Sequence, residues 1–359
     1  MSAIRVVLAD DSVVVRRIMA DVFARAEGFE LVANVANGRE AVEIVDELDP
    51  DVVVLDIEMP EMDGIEALQA IRQRRPRLPV VMFSTVARRG AAATMEALAL
   101  GASDYVTKPG TLSGVREAIE SMEQELLPRL KALGRRPRAL GSAPPAVRPS
   151  GPGGAKRCIA GGAEVVVVGA STGGPVAVSK LIGQLPSDFD VPVVVVQHMP
   201  PLFTKHFAEQ LAQRVRLPVA EVEDGQPVQG GEIWIGRGGH HVELTRGANG
   251  ELLLKLTDDE PVHFCRPAVD VLFKSTARVC GRRSLAVVMT GMGQDGLEGA
   301  RSIVDAGGVV VAQDEASSVV WGMPGSVARA GLATYLGDPE VLAQHVALVA
   351  GSPPVRQSG

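Results

Sequence analysis

Aromatic residues make up only 3% of this 359-residue chain. Its cores must therefore be aliphatic, built from Val, Leu, Ala and Ile. Cysteine is also scarce. Cys158, Cys265 and Cys280 are odd in number and lack C-x-x-C spacing, which argues against a disulfide framework or a zinc knuckle and for a reducing compartment. No apolar run approaches the ~18 to 20 residues that span a bilayer. The opening MSAIRVVLADDS has no cationic stretch ahead of an apolar one, so no secretory signal and no membrane insertion are expected, and a cytoplasmic location is. Excess positive charge is missing too. The net charge is −7, and the chain as a whole offers no nucleic-acid-binding surface. What is present is an ordinary globular mix, 46% apolar and 22% charged. The length suits two domains at roughly 150 residues each.

Charge locates the boundary between them. Residues 1–125 hold 13 Lys/Arg against 22 Asp/Glu, residues 126–163 hold 8 basic residues and no acid, and the remainder is acidic again by 6. Periodicity also fails in the middle, where GRRPRALGSAPPAVRPSGPGGAKR is Pro, Gly, Ser and Arg without an apolar repeat. Such a composition cannot bury enough surface to offset its ordering entropy. The expected organisation is a first domain over 1–125, a linker over 126–160 and a second domain over 161–350.

The first domain alternates short apolar runs (IRVVLA, FELVANVA, DVVVLDI, PVVMFST, ASDYVTK) with amphipathic stretches such as GREAVEIVDEL. That pattern predicts β-α-β units and a five-stranded parallel sheet. Asp10 and Asp11 close the first strand, Asp56 the third, and Lys108 follows the fifth, so all four reach one edge. Converging carboxylates call for a cation, and an oxygen-only donor set suits Mg²⁺. A lysine beside them suits a phosphoryl group, with Ser84, next to Thr85, as a hydrogen-bonding partner. The chemistry read from this cluster is an aspartyl phosphate on a Mg²⁺-organised carboxylate.

The segments LADDS, LDIEMPEMDG and DYVTKP resemble the response-regulator receiver family over about residues 3–122. The resemblance implies Asp56 as phosphoacceptor, with Mg²⁺ held by Asp10, Asp11, Asp56 and the backbone carbonyl of Glu58. It also implies Ser84, Tyr105 and Lys108 as the residues that respond to the phosphoryl group. A histidine kinase would be the phosphodonor.

The second domain opens with a strand, a tight turn and a helix, EVVVVGASTGGPVAVSKLIGQL, followed by the buried strand VPVVVVQH. EIWIGRGGHHVEL and ELLLKLTD read as antiparallel strands, and SLAVVMTG and GVVVAQD as further buried ones. The class is α/β throughout: a five-stranded parallel domain followed by a doubly wound domain with an antiparallel excursion. As a dinucleotide fingerprint the turn fails, because Ser171 stands at the middle glycine and the next strand ends in Gln197 and His198, not an acid. As Gly-x-Ser-x-Gly it is complete from Gly169 to Gly173. A serine there needs a base, and His198 closes the neighbouring strand. Asp295, in the loop MTGMGQDG, supplies an acid for the imidazole. The order Ser171, His198, Asp295 differs from that of α/β-hydrolases, so the set is a triad by geometry on another scaffold.

VVVVGASTGGP, VVVVQHMP, HFCRPAVDVLF and VVMTGMGQDG resemble the catalytic domain of the chemotaxis protein-glutamate methylesterases over about residues 163–349. The resemblance implies a phosphorylation-regulated serine hydrolase. It would demethylate glutamyl methyl esters on chemoreceptors and deamidate receptor glutamines, with no cofactor for the hydrolysis. The backbone N–H groups of Thr172 and Met292 would form the oxyanion hole, and Met199, Phe264 and Arg266 are candidates for the cleft wall. The competing expectation is a non-enzymatic two-component regulator with a degenerate output module.

Overall fold

A computed structural model describes residues 3–85, 87–108, 115–134 and 159–351. Two compact units divide the chain, residues 1–140 and 141–359.

The first unit holds strands β1 (Ile4–Ala9), β2 (Phe29–Val35), β3 (Val52–Asp56), β4 (Val80–Ser84) and β5 (Asp104–Thr107). They form one parallel sheet in the order β2-β1-β3-β4-β5. Helices α1 (Val13–Arg25), α2 (Gly38–Leu48), α3 (Gly64–Arg74), α4 (Arg88–Ala99) and α5 (Val115–Gly134) alternate with them. Every residue of β3 and β4 is buried, as continuous Val-rich runs demand when a parallel sheet is covered on both faces. Local sequence sets the helix starts. Asp63 Oδ1 accepts the N–H groups of Ile65 and Glu66 at 2.9 Å, and Glu66 Oε2 returns to the Asp63 N–H at 3.1 Å, a complete capping box. The expected linker is corrected at its start. Residues 126–134 continue α5, because Leu126, Leu130 and Leu133 fall on its buried side. Residues 135–158, including Cys158, lie outside the described residues.

The second unit holds β6 (Val165–Ala170), β7 (Val193–Gln197), β8 (Val219–Glu221), β9 (Gln226–Pro227), β10 (Ile233–Ile235), β11 (His241–Arg246), β12 (Leu252–Thr257), β13 (Ser284–Val288), β14 (Val309–Gln313) and β15 (Tyr335–Gly337). Its helices are α6 (Gly174–Gly183), α7 (Pro201–Ala212), α8 (Val269–Cys280), α9 (Leu297–Asp305), α10 (Met323–Arg329) and α11 (Pro339–Ala350). Seven strands make a parallel sheet in the order β15-β14-β13-β6-β7-β10-β8. The expectation for EIWI is corrected: Ile233–Ile235 pairs parallel with both β7 and β8, inside the main sheet. Among the described residues, β11, β12 and β9 form the antiparallel excursion. The core is aliphatic, with Val165, Val167, Val194, Val196, Ala286 and Val288 each under 2% exposed. The chain order reverses around β6, which lies between β7 and β13. At such a switch point the carboxyl ends of neighbouring strands leave a crevice.

Candidate functional sites

In the first unit, Asp10, Asp11 and Asp56 offer carboxylate oxygens within 4.8 Å of one another. Asp10 and Asp56 are buried, and Asp11 is exposed. Lys108 Nζ bridges the buried pair, 2.8 Å from Asp10 Oδ2 and 2.7 Å from Asp56 Oδ2. Burial pushes the Asp56 carboxyl up to about 6; the Lys108 bond opposes this and the Asp10 charge adds to it. Burial would lower Lys108, but its two carboxylate partners outweigh that and hold it above the usual lysine range. The donor set fits a hard divalent cation. The buried Asp10 Oδ2 accepts no well-directed hydrogen bond despite its ammonium neighbour, and no N–H among the described residues takes the Glu58 carbonyl. An open cavity of about 620 Å³, lined by Asp11, Glu58, Met59, Asp63 and Arg89 among others, adjoins the cluster. Ser84 closes β4 beside β3, as expected, but its hydroxyl is directed to the carbonyls of Gly90 (3.1 Å) and Thr85 (3.2 Å). Tyr105 is buried on β5, and desolvation holds its phenol above the usual range.

In the second unit, three adjoining strand ends supply the site. After β6 the chain turns sharply. The Ser171 N–H donates to the Thr290 carbonyl at 3.0 Å, and the Gly174 N–H donates to the Ser171 carbonyl at 2.7 Å. The turn needs glycine at Gly173, whose φ is +74° and where a Cβ would fall 2.4 Å from Val319. It also needs Gly291 across the crevice, where a Cβ would stand 2.9 Å from the Ser171 Cβ. Buried Gln197 at the end of β7 donates from Nε2 to the Ser171 carbonyl at 2.9 Å, fixing the serine's own peptide. The N–H groups of Thr172 and Met292 donate to nothing among the described residues.

His198 follows β7 and ties back through its N–H to the Ala170 carbonyl at 3.1 Å, which locks it beside the serine turn. Its Nε2 lies 2.8 Å from Asp295 Oδ2. That contact puts a proton on Nε2 and leaves Nδ1 as the base nitrogen. Burial opposes the charged imidazole, but the bonds to Asp295 and to Cys265 outweigh it, and the His198 pKa is pushed up to about 9. Asp295 is 2% exposed. Its own burial is overcome by His198 and by backbone N–H groups, which hold it below the ordinary carboxylate range. Oδ2 accepts the Val269 N–H at 2.7 Å, while Oδ1 accepts Asp270 and Gly296, both at 2.9 Å. Asp295 therefore caps α8, whose first residue lies 26 positions earlier in the chain, as well as orienting the imidazole.

Ser171 directly follows β6, His198 directly follows β7, and Asp295 lies in the loop between β13 and α9. The three residues expected at the cleft wall differ in their surroundings. Met199 is buried as core, and Arg266 is committed to the carbonyls of Asp258 (2.9 Å) and Asp259 (3.1 Å). Phe264 is fully exposed. Sequence reasoning missed Cys265, whose Sγ lies 3.4 Å from His198 Nδ1, and Asp270, which holds His263 Nε2 at 3.1 Å. Their only signal was membership of the segment HFCRPAVDVLF.

Comparison with known proteins adds the following. The family profile for CheB methylesterase matches residues 166–346, and that for the response regulator receiver domain matches residues 6–120. The protein-glutamate methylesterase/protein-glutamine glutaminase of Nocardioides sp. is 48% identical over 343 residues, covering 93% of this chain and 92% of that protein. The protein of the same description from Trichodesmium erythraeum is 41% identical, covering 96% of this chain and 99% of its own length. Among solved structures, the Thermotoga maritima CheB methylesterase catalytic domain is similar with a TM-score of 0.50 and 39% identity, covering 51% of this chain and 97% of that one.

Proposed function

The chain belongs to the CheB methylesterase family, and from that premise we propose how its residues do the work. It is a phosphorylation-regulated protein-glutamate methylesterase and protein-glutamine glutaminase that acts on chemoreceptors and is phosphorylated through its receiver domain. The reading as a non-enzymatic regulator is not favoured. Ser171 is the nucleophile, His198 Nδ1 its general base, and Asp295 the group that holds the imidazole tautomer. The observation that carries this assignment is the 2.8 Å bond from His198 Nε2 to an Asp295 carboxylate fixed by three backbone N–H groups, one strand away from the serine turn.

Ser171 Oγ attacks the glutamyl side-chain acyl carbon as His198 takes its proton. The oxyanion settles between the N–H groups of Thr172 and Met292. His198 returns the proton to the departing methoxide or amide, which leaves as methanol or ammonia. Water then repeats the sequence on the acyl-enzyme and releases the γ-carboxylate. One acyl intermediate serves both reactions.

The receiver's phosphorylation is Mg²⁺-dependent. We assign Asp56 as the acceptor carboxylate, with Asp10, Asp11 and the Glu58 carbonyl completing the metal's protein ligands. The ion would neutralise the phosphoryl oxygens. Lys108 takes up the transferred group's charge, and Ser84 turns toward it. A chemotaxis histidine kinase is the proposed donor, and methylated receptor cytoplasmic domains are the proposed substrate. No helix among the described residues is long and apolar enough to cross a membrane, in keeping with a proposed cytoplasmic location. The proposed linker is 135–160, between the receiver and a catalytic domain over 161–350.

Methanol release from methylated receptor membranes tests the assignment. Ser171→Ala is expected to lose nearly all of it, by roughly 10⁴-fold or more. A rate near that of the wild type would remove Ser171 from its role.

A further inference from the structure

Beside the base stands a thiol that the hydrolysis does not use. Residues 262–265 form a tight turn closed by two backbone bonds, Val262 N–H to the Cys265 carbonyl at 3.1 Å and Cys265 N–H to the Val262 carbonyl at 2.9 Å. Its two central residues, His263 and Phe264, have φ of +52° and +61°. His263 anchors the turn by its bond to Asp270. The fastened turn presents Cys265 Sγ to His198 Nδ1 at 3.4 Å, and His198 Nε2 is bonded to Asp295. Thiol, imidazole and carboxylate in series are the arrangement that activates a cysteine. The Ser171 hydroxyl, by contrast, has no hydrogen bond among the described residues, so the thiol is the resident partner of Nδ1. The neighbouring His263, Asp270 and Asp295 lie close enough together to suggest a metal, but each of their carboxylate oxygens already accepts an N–H. The group is a hydrogen-bond network whose one reactive member is sulfur. Cys265 is half-buried and within reach of a small reagent. Cys280 is buried, and desolvation pushes its thiol up to about 12.

We propose that Cys265 is a modification site for small peroxides, coupled to catalysis because its sulfur and the Ser171 hydroxyl share His198 Nδ1. This rests on His198 being the base of the esterase. With the shared proton on Nδ1, the thiolate attacks one peroxide oxygen. The S–O bond forms as the O–O bond breaks, and the departing hydroxide takes the Nδ1 proton and leaves as water. Sulfur gives up two electrons, the peroxide is reduced, and Cys265 becomes a sulfenic acid. The added oxygen occupies the space beside Nδ1, and its O–H engages the lone pair that Ser171 requires. Hydrolysis stops until a thiol reductant restores the cysteine.

The test uses the full chain carrying Cys158→Ala, exposed to hydrogen peroxide, quenched with catalase, and assayed for methanol release against its own untreated control. The expected result is a loss of at least about tenfold, recovered with dithiothreitol, with a dimedone adduct located at Cys265 by mass spectrometry. In the Cys158→Ala/Cys265→Ala chain the treated-to-untreated ratio should stay near one. Ser171→Ala should still form the adduct, whereas His198→Gln should form it more slowly. Inactivation that persists without Cys265 would place the damage at another residue, such as the half-buried Met292, and overturn the proposal, as would inactivation that dithiothreitol does not reverse. So would a fully oxidised Cys265 in an undiminished enzyme. Failure of the triad assignment reads separately, as methanol release that survives Ser171→Ala.

Discussion

Asp56→Asn should stabilise the receiver while ending its phosphorylation. The carboxyl is 3% exposed, with a second buried carboxylate beside it and one ammonium between them. Its pKa rises from 3.8 to about 6. A shift of about 2 units corresponds to about 3 kcal/mol at 1.36 kcal/mol per unit. The sign follows from proton binding. The folded state holds this proton more tightly than the unfolded chain, so stability is greatest in acid and declines as pH climbs through the interval from 3.8 to about 6. At pH 7 the ionised carboxylate carries the whole cost. Replacing it by an amide removes that cost, and Lys108 keeps Asp10 as its partner. In a metal-free buffer at pH 7 the receiver of the Asp56→Asn chain should melt later, with about 3 kcal/mol as the ceiling and about 4 °C for each kcal/mol. At pH 4 the two chains should converge. Added Mg²⁺ should raise the wild type more than the variant, because the cation offsets the same repulsion. Calorimetry at both pH values, with and without the metal, reads all of this from the transition that moves with Mg²⁺. A variant less stable than the wild type at pH 7 without metal would show that the Lys108 ion pair outweighs burial.

The same substitution should leave methanol release indifferent to a small phosphodonor, while the wild-type chain responds; a response retained in Asp56→Asn would move the acceptor elsewhere. Asp295→Asn should lose less methanol release than Ser171→Ala, since nucleophile, base and oxyanion donors remain; a larger loss would reverse the roles. In its proposed role as base, His198 sheds its Nδ1 proton before it acts, so kcat/KM should climb with pH toward about 9, and Cys265→Ala should move that limb to lower pH by removing one of the contacts that raise it. The stability carried by His198 runs the other way: it is complete below the unfolded value of 6.5 and lost as pH rises through about 9, so a urea titration should find the second unit weaker at pH 9 than at pH 6.

Much of this was legible in the chain because parallel strands announce themselves. A run such as VVVLD or VVVVQ, apolar at every position, has no solvated face and must lie inside a covered sheet. The residue that ends such a run then reaches the site edge, so Asp56, Ser171 and His198 could be placed by reading alone. What was not legible depended on contacts between distant segments. Ile233–Ile235 read as antiparallel strand, but it pairs parallel with Val193–Val195 and Val219–Glu221. Helix α5 runs past the expected domain boundary at residue 125, where three leucines, spaced for one face, are buried. Cys265 carried no mark of its neighbour, since 67 positions separate it from His198 and only the turn brings them together. Ser84 closes β4, yet which way its hydroxyl points is decided by competing carbonyls.

Asp295 holds two offices with one carboxylate. The oxygens that steady the imidazole also fasten the first turn of α8, and α8 presses on β6, β11 and α9. A lineage that no longer needed the chemistry would still find this position hard to relinquish, because drift there loosens a helix before it finishes off an enzyme. Ser171 carries no comparable tether through its hydroxyl. A descendant kept for signalling alone should therefore shed its serine first and retain its aspartate, a fossil of catalysis preserved by architecture.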